Sequence, residues 1–91
     1  MADVIVTLQV RLEDVDTNPE MIIEQATEII VNGEAKVMES AVEPIAFGLK
    51  QVIITFVRDE KKGSVDAIEE DVGLLEGVMS SEVIAVRRAV G

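Results

Sequence analysis

Apolar residues in this chain change their spacing from two to between three and four and back again, twice, and that order of periods leaves few folds open. Val4, Val6, Leu8, Val10 and Leu12 recur at every second position with Thr7, Gln9 and Arg11 between them, the pattern of a strand buried on one face. Ile5 is the exception on the open face. Residues 14–20 read as a loop and helix start, where Thr17 or Asn18 can accept from free amides and Pro19 suits the first turn. Ile22, Ala26, Ile29 and Ile30 then share one helical face, and Gly33 is expected to end the helix in a left-handed conformation.

Alternation returns over 35–42, with Ala35, Val37 and Ala41 expected on one face and Lys36, Met38, Ser40 and Val42 on the other. Its weak pattern places this strand at an edge. Residues 49–57 are almost continuously apolar and rich in β-branched side chains, as in a strand covered by neighbours. A polar turn over 59–63 precedes Ser64, a good helix cap, with Asp66, Glu69 and Glu70 near the positive end of the helix dipole. Val65, Ile68, Val72 and Leu75 form the apolar stripe of this second helix, which Gly77 is expected to stop. Residues 78–86 alternate as a last strand, although Glu82 then shares a face with Val78, Ile84 and Val86.

Strand, helix, strand, strand, helix, strand is the order of the ferredoxin-like plait, an α+β fold with a four-stranded antiparallel sheet. Right-handed crossovers put both helices on one side and leave the opposite face open. Ile5, Ile53, Val57 and Met79 or Val83 are candidates for that open face. With 91 residues, the chain is expected to form one domain over residues 1–91.

Composition removes most function classes. Cys and His are both absent, which takes away thiolate nucleophiles, histidine acid/base schemes and the usual zinc and copper ligands, including the CxxC pair of metal chaperones. The net charge of −10 opposes nucleic-acid binding, and two phenylalanines without Tyr or Trp cannot build an RNA-stacking sheet. No apolar run approaches membrane-spanning length and no leader pattern opens the chain, so a cytoplasmic protein with no membrane partner is expected.

The acidic clusters carry little chemistry. Asp14, Asp16 and Asn18 stand at the alternate positions that begin a calcium loop, but Pro19 occupies the place of its glycine and Gln25 that of its bidentate glutamate. Glu69, Glu70 and Asp71 read as a solvated helix face. A phosphate-cradling loop of the acylphosphatase kind would need arginine after the first strand, where Glu13 to Asp16 place the wrong charge. Neither a Gly-rich phosphate loop nor a GxGxxG run follows any strand. No catalytic residue, metal ligand or cofactor is expected.

Two features remain. Phe47 stands between Pro44 and Gly48 in the segment Glu43-Pro44-Ile45-Ala46-Phe47-Gly48-Leu49-Lys50, where it is either displayed or folded back over the edge of its own core. Arg87 and Arg88 close the last strand and are two of only eight basic residues. Cations so placed in an acidic chain suit an anionic or metal-binding site on a partner, while alone they read as ordinary solvated residues at a chain end.

These segments carry a resemblance. The opening Ala2-Asp3-Val4-Ile5-Val6-Thr7-Leu8, the run from Pro44 to Lys50, and Val78-Met79-Ser80-Ser81-Glu82-Val83 through Val86-Arg87-Arg88-Ala89 make the chain similar to the archaeal elongation factor 1-beta family and to the catalytic domain of its eukaryotic counterparts. The resemblance implies the same plait and an exchange activity, promoting GDP release from elongation factor 1-alpha without an enzymatic step. It assigns Phe47 to packing against that GTPase, with Lys50 orienting the anchor or touching the partner. It also implies a basic residue directed at the magnesium site beside the nucleotide; counting from Val78 puts Arg88 there, with Arg87 adjacent. Arginine replaces the eukaryotic lysine, and Val90 and Gly91 extend the end, so both arginines stand as candidates. The amino-terminal extension that binds accessory subunits in eukaryotic relatives is missing, and no such subunit is expected. A different class of function, a small ligand-binding regulatory module of the same fold, rests on fold analogy alone.

Overall fold

A computed structural model describes residues 3–88. Strand β1 (Asp3–Leu12) leads into helix α1 (Pro19–Asn32), strands β2 (Ala35–Pro44) and β3 (Lys50–Asp59), helix α2 (Asp66–Gly73) and strand β4 (Val78–Arg88). Short 3-10 turns at Ala46–Gly48 and Glu60–Lys62 follow β2 and β3. The sheet is antiparallel in the order β2-β3-β1-β4, so β2 is an edge strand, as its weak pattern suggested. Alternate side chains of β1 (Val6, Leu8, Val10, Leu12) and of β3 (Val52, Ile54, Phe56) are buried against Ile22, Ala26 and Ile30 of α1 and Ile68 and Val72 of α2. At about 1.5–3 kcal/mol for each large side chain removed from water, this one layer is the main stabilising contribution. The described residues form an α+β plait whose second face has no helix over it.

Local signals explain most boundaries. Asn18 Oδ1 accepts from the Glu20 amide at 3.0 Å, and Pro19 opens α1. Gly33 follows the last turn but has φ −84°, and Glu34 takes the left-handed conformation instead, at φ 64°. The reason for glycine at 33 is therefore packing: a Cβ there would lie 2.9 Å from Ile68 Cδ1, where α2 approaches. Ser64 Oγ accepts from the Asp66 amide at 3.0 Å. Contrary to expectation, α2 stops at Gly73, and Gly77 (φ 92°) instead turns the chain into β4.

Two strands depart from simple alternation. The β2–β3 register shifts between Val37 and Glu39, so Ser40 and Val42 pair with Ile54 and Val52 on the helix side, while Ala41 pairs with Ile53 on the open side. Grouping Ala41 with Val37 was wrong because one extra residue reverses every later side chain. In β4, shifts at Met79 and Ile84 put Ser81, Val83, Val86 and Arg88 level with helix-side residues of β1. Ser80, Glu82, Ala85 and Arg87 share the open side with Arg11, Gln9, Thr7 and Ile5. This frees Glu82 from the apolar side and removes Val83 from the open-face candidates; Val83 packs against the core. Ile5, Ile53 and Val57 lie on the open face.

Candidate functional site

The β2–β3 connection builds the most unusual local structure. The Ile45 amide donates to the Leu49 carbonyl at 2.8 Å, and the Leu49 amide to the Ala46 carbonyl at 3.3 Å, closing a short loop over half-buried Ile45 and Leu49. Inside it Phe47 has φ 63° and ψ 28° and is followed by Gly48 at φ 77°. A left-handed backbone at a residue with a Cβ costs about 1–2 kcal/mol. The strain is not offset by burial, because Phe47 is 95% exposed. Of the two readings of its sequence, display is the one observed. Val15, half exposed on the β1–α1 loop, approaches the same turn at Gly48, where a Cβ would lie 3.6 Å from Val15 Cγ1. Sequence reasoning passed over Val15 because it sits among aspartates in a loop.

Lys50 is the first residue of β3, pairs in register with Pro44 and is exposed at the same end of the sheet. Among the described residues it makes no ion pair, which leaves its ammonium free for an external anion.

The two arginines are separated by the sheet itself. Arg87 pairs with Ile5 and belongs to the open face; Arg88 pairs with Val4 and belongs to the helix side. There Arg88 Nε lies 3.2 Å from Glu60 Oε2, and its Nη2 donates to Glu60 Oε1 at 3.4 Å. Glu60 is carried by a turn that Arg58 fastens. Arg58 donates to the carbonyls of Gly33 (3.0 Å), Gly63 (2.8 Å), Lys62 (3.2 Å) and Ser64 (3.2 Å), tying the end of α1 to the turn before α2. Nearby, Lys62 Nζ meets Glu34 Oε2 at 2.9 Å; the hydrogen bond and opposite charge push the Glu34 carboxyl below its ordinary pKa and the Lys62 ammonium above its own.

Phe47 and the arginines are not neighbours. Arg88 is level with Val4 and the Phe47 loop lies beyond Gln51, which is level with Arg11. Seven strand residues, about 23 Å, separate those two positions. The long dimension of the molecule is 43 Å, and the two features occupy its opposite ends. A single small ligand cannot touch both.

The acidic sequences are structural. Asp14 Oδ1 accepts from the Asp16 amide at 3.1 Å in an Asx turn. Glu69 is not solvated as expected: its Oε2 accepts from the Val83 amide at 2.6 Å, and its carbonyl accepts from Ser81 Oγ, capping the outer edge of β4. On the open face Gln9 Nε2 donates to Gln51 Oε1 (3.0 Å) and Gln51 Nε2 to Glu43 Oε1 (2.9 Å), a polar rung across three strands. No described helix is long and apolar enough to cross a membrane.

Comparison with known proteins places the chain in one family. Among solved structures, the ACT domain from a GTP pyrophosphokinase of Chlorobium tepidum superposes with a TM-score of 0.58 at 17% identity, covering 90% of this chain and 99% of that one, a likeness of fold alone. Elongation factor 1-beta of Methanococcus maripaludis is 37% identical over 84 residues, 92% of this chain and 94% of the relative. That of Metallosphaera sedula is 35% identical over 89 residues, 97% of each. The family model described as the EF-1 guanine nucleotide exchange domain matches residues 5–89. Matched over nearly its whole length, the chain belongs to the EF-1 guanine nucleotide exchange domain family, whose role is nucleotide exchange in translation elongation.

Proposed function

We propose that this protein accelerates GDP release from the elongation factor 1-alpha GTPase in the cytoplasm by holding it at two separated points. The observation that carries the reading is Phe47, almost wholly exposed on a left-handed backbone whose strain no burial of the ring offsets. Phe47 is the anchor, entering an apolar recess of the GTPase with Val15 close to the same turn, and Lys50 meets an anionic group on the rim. Arg88, at the far end, enters the region of the partner's magnesium ion.

The physical logic needs no catalytic group. A guanidinium placed among the oxygens that would hold the partner's magnesium beside its nucleotide would compete with the ion for them. Binding that is tighter to the nucleotide-free GTPase than to its GDP form loosens GDP by the same factor, since coupling between two ligands is reciprocal. Each 1.4 kcal/mol of preferential stabilisation of the release transition state gives about tenfold in rate. One desolvated cation and one buried aromatic are on that scale.

Release of fluorescent GDP from purified elongation factor 1-alpha, with magnesium present and this protein titrated in, tests the reading. A saturable acceleration is expected. Arg88→Ala should lower the saturated rate at least tenfold with a smaller change in half-saturation, whereas Phe47→Ala should chiefly raise the half-saturating concentration. Unchanged kinetics in both variants would refute these assignments. A deficit in Arg87→Ala with normal Arg88→Ala would move the role to the open face.

A further inference from the structure

We propose that Glu60 is a positioning residue that latches Arg88 in the free protein and hands it over to the GTPase on docking, an inference that rests on the assignment of Arg88 above. The contact uses both carboxylate oxygens and two different nitrogens of the guanidinium, a geometry that fixes the plane of the fork as well as its place. Its two partners come from distant parts of the chain. Arg88 ends β4, and Glu60 begins the turn after β3. The turn is in turn held by Arg58 through the carbonyls of Lys62, Gly63 and Ser64, so Glu60 is offered from a fixed platform.

The acid is chemically the same kind of group that a magnesium site presents. A guanidinium still paired with Glu60 has its charge largely neutralised and its donors occupied, so it competes poorly with magnesium for the oxygens around the nucleotide. Productive engagement therefore requires Arg88 to exchange Glu60 for the partner's anions. The exchange is affordable because the pair is exposed, with side-chain exposures of 75% and 35%. Exposed ion pairs are weak, so the unlatched arginine is populated between about two fifths and one sixth of the time. Arg87, on the other face, has no ion-pair partner among the described residues, so the device is specific to Arg88.

The GDP-release assay reads this directly. Glu60→Gln should lower the half-saturating concentration about two- to sixfold and leave the saturated rate unchanged, because only the free state is relieved of the latch. In an Arg88→Ala background the same substitution should do nothing. Glu70→Gln, which removes one exposed negative charge from α2 at no contact with Arg88, controls for general repulsion and should shift half-saturation much less. Circular dichroism of each variant establishes that it folds. A Glu60→Gln protein no better than the parent, an improvement that persists without Arg88, or an equal improvement in Glu70→Gln would each overturn the latch. Failure of the underlying reading looks different: Arg88→Ala would then leave release unaltered whatever Glu60 does.

Discussion

A phenylalanine ring in water and a backbone in the left-handed region are both unfavourable, and at residue 47 they coincide. Neither helps this chain fold. Because the ring is almost wholly exposed, its removal forfeits no internal burial, so Phe47→Ala should leave the thermal midpoint within about 3 °C of the parent. Its affinity for the GTPase should fall by about 2 kcal/mol or more, the usual cost of truncating a central aromatic anchor. A calorimetric melt beside a binding titration checks both, and a large loss of stability would mean that the ring belongs to the core. Sequence isolated this residue through its flanking Pro44 and Gly48 but left its exposure open, since exposure depends on how the loop closes over Ile45 and Leu49. Arg58 shows the reverse failure. Nothing in the run Phe56-Val57-Arg58-Asp59 announces a side chain that serves four carbonyls, because those acceptors lie on α1 and on a turn that only the folded chain brings together.

At the scale of elements, periodicity revealed the order and type of all six but misjudged where side chains point after a register shift. The β2 shift reversed Ala41, and the first shift in β4 reversed Ser80 to Val83 until the second cancelled it and returned Val86 and Arg88 to the side of Val78. One-residue shifts leave no mark in a pattern of period two except a conflict, such as Glu82 among apolar neighbours. The junctions between elements rest on Arg58. Its guanidinium fork spans groups that a single ammonium cannot, so Arg58→Lys should behave nearly as badly as Arg58→Ala. Loss of hydrogen bonds from a charged, partly buried donor predicts a destabilisation of about 1–3 kcal/mol for each variant. Urea denaturation with the slope held in common measures it. Full rescue by lysine would show that charge alone, rather than the fork, joins α1 to the following turn.

Over the whole molecule, what matters is distance. The chain is 43 Å long and its displayed ring and terminal guanidinium lie at opposite ends, joined by the stiff strands β1 and β3. On the proposed reading, the surface of the GTPase that holds the ring is a different one from the surface that receives the arginine, and the sheet fixes the spacing between them. A sheet is a good connector for this purpose: its hydrogen-bonded ladder keeps the separation fixed, and the covering helices bury the side that would otherwise let it flex. Two contacts so far apart share no side chains, and their energetic effects should therefore add. In the GDP-release assay, the activation free energies lost by Phe47→Ala and by Arg88→Ala, each taken from the rate at subsaturating protein, should sum in the double variant to within about 0.5 kcal/mol. A double variant no worse than the poorer single one would mean that Arg88 acts only when Phe47 is seated, with the strands serving as a lever rather than a spacer. A loss in the double variant much larger than the sum of the two single losses would mean that the partner accepts either end alone.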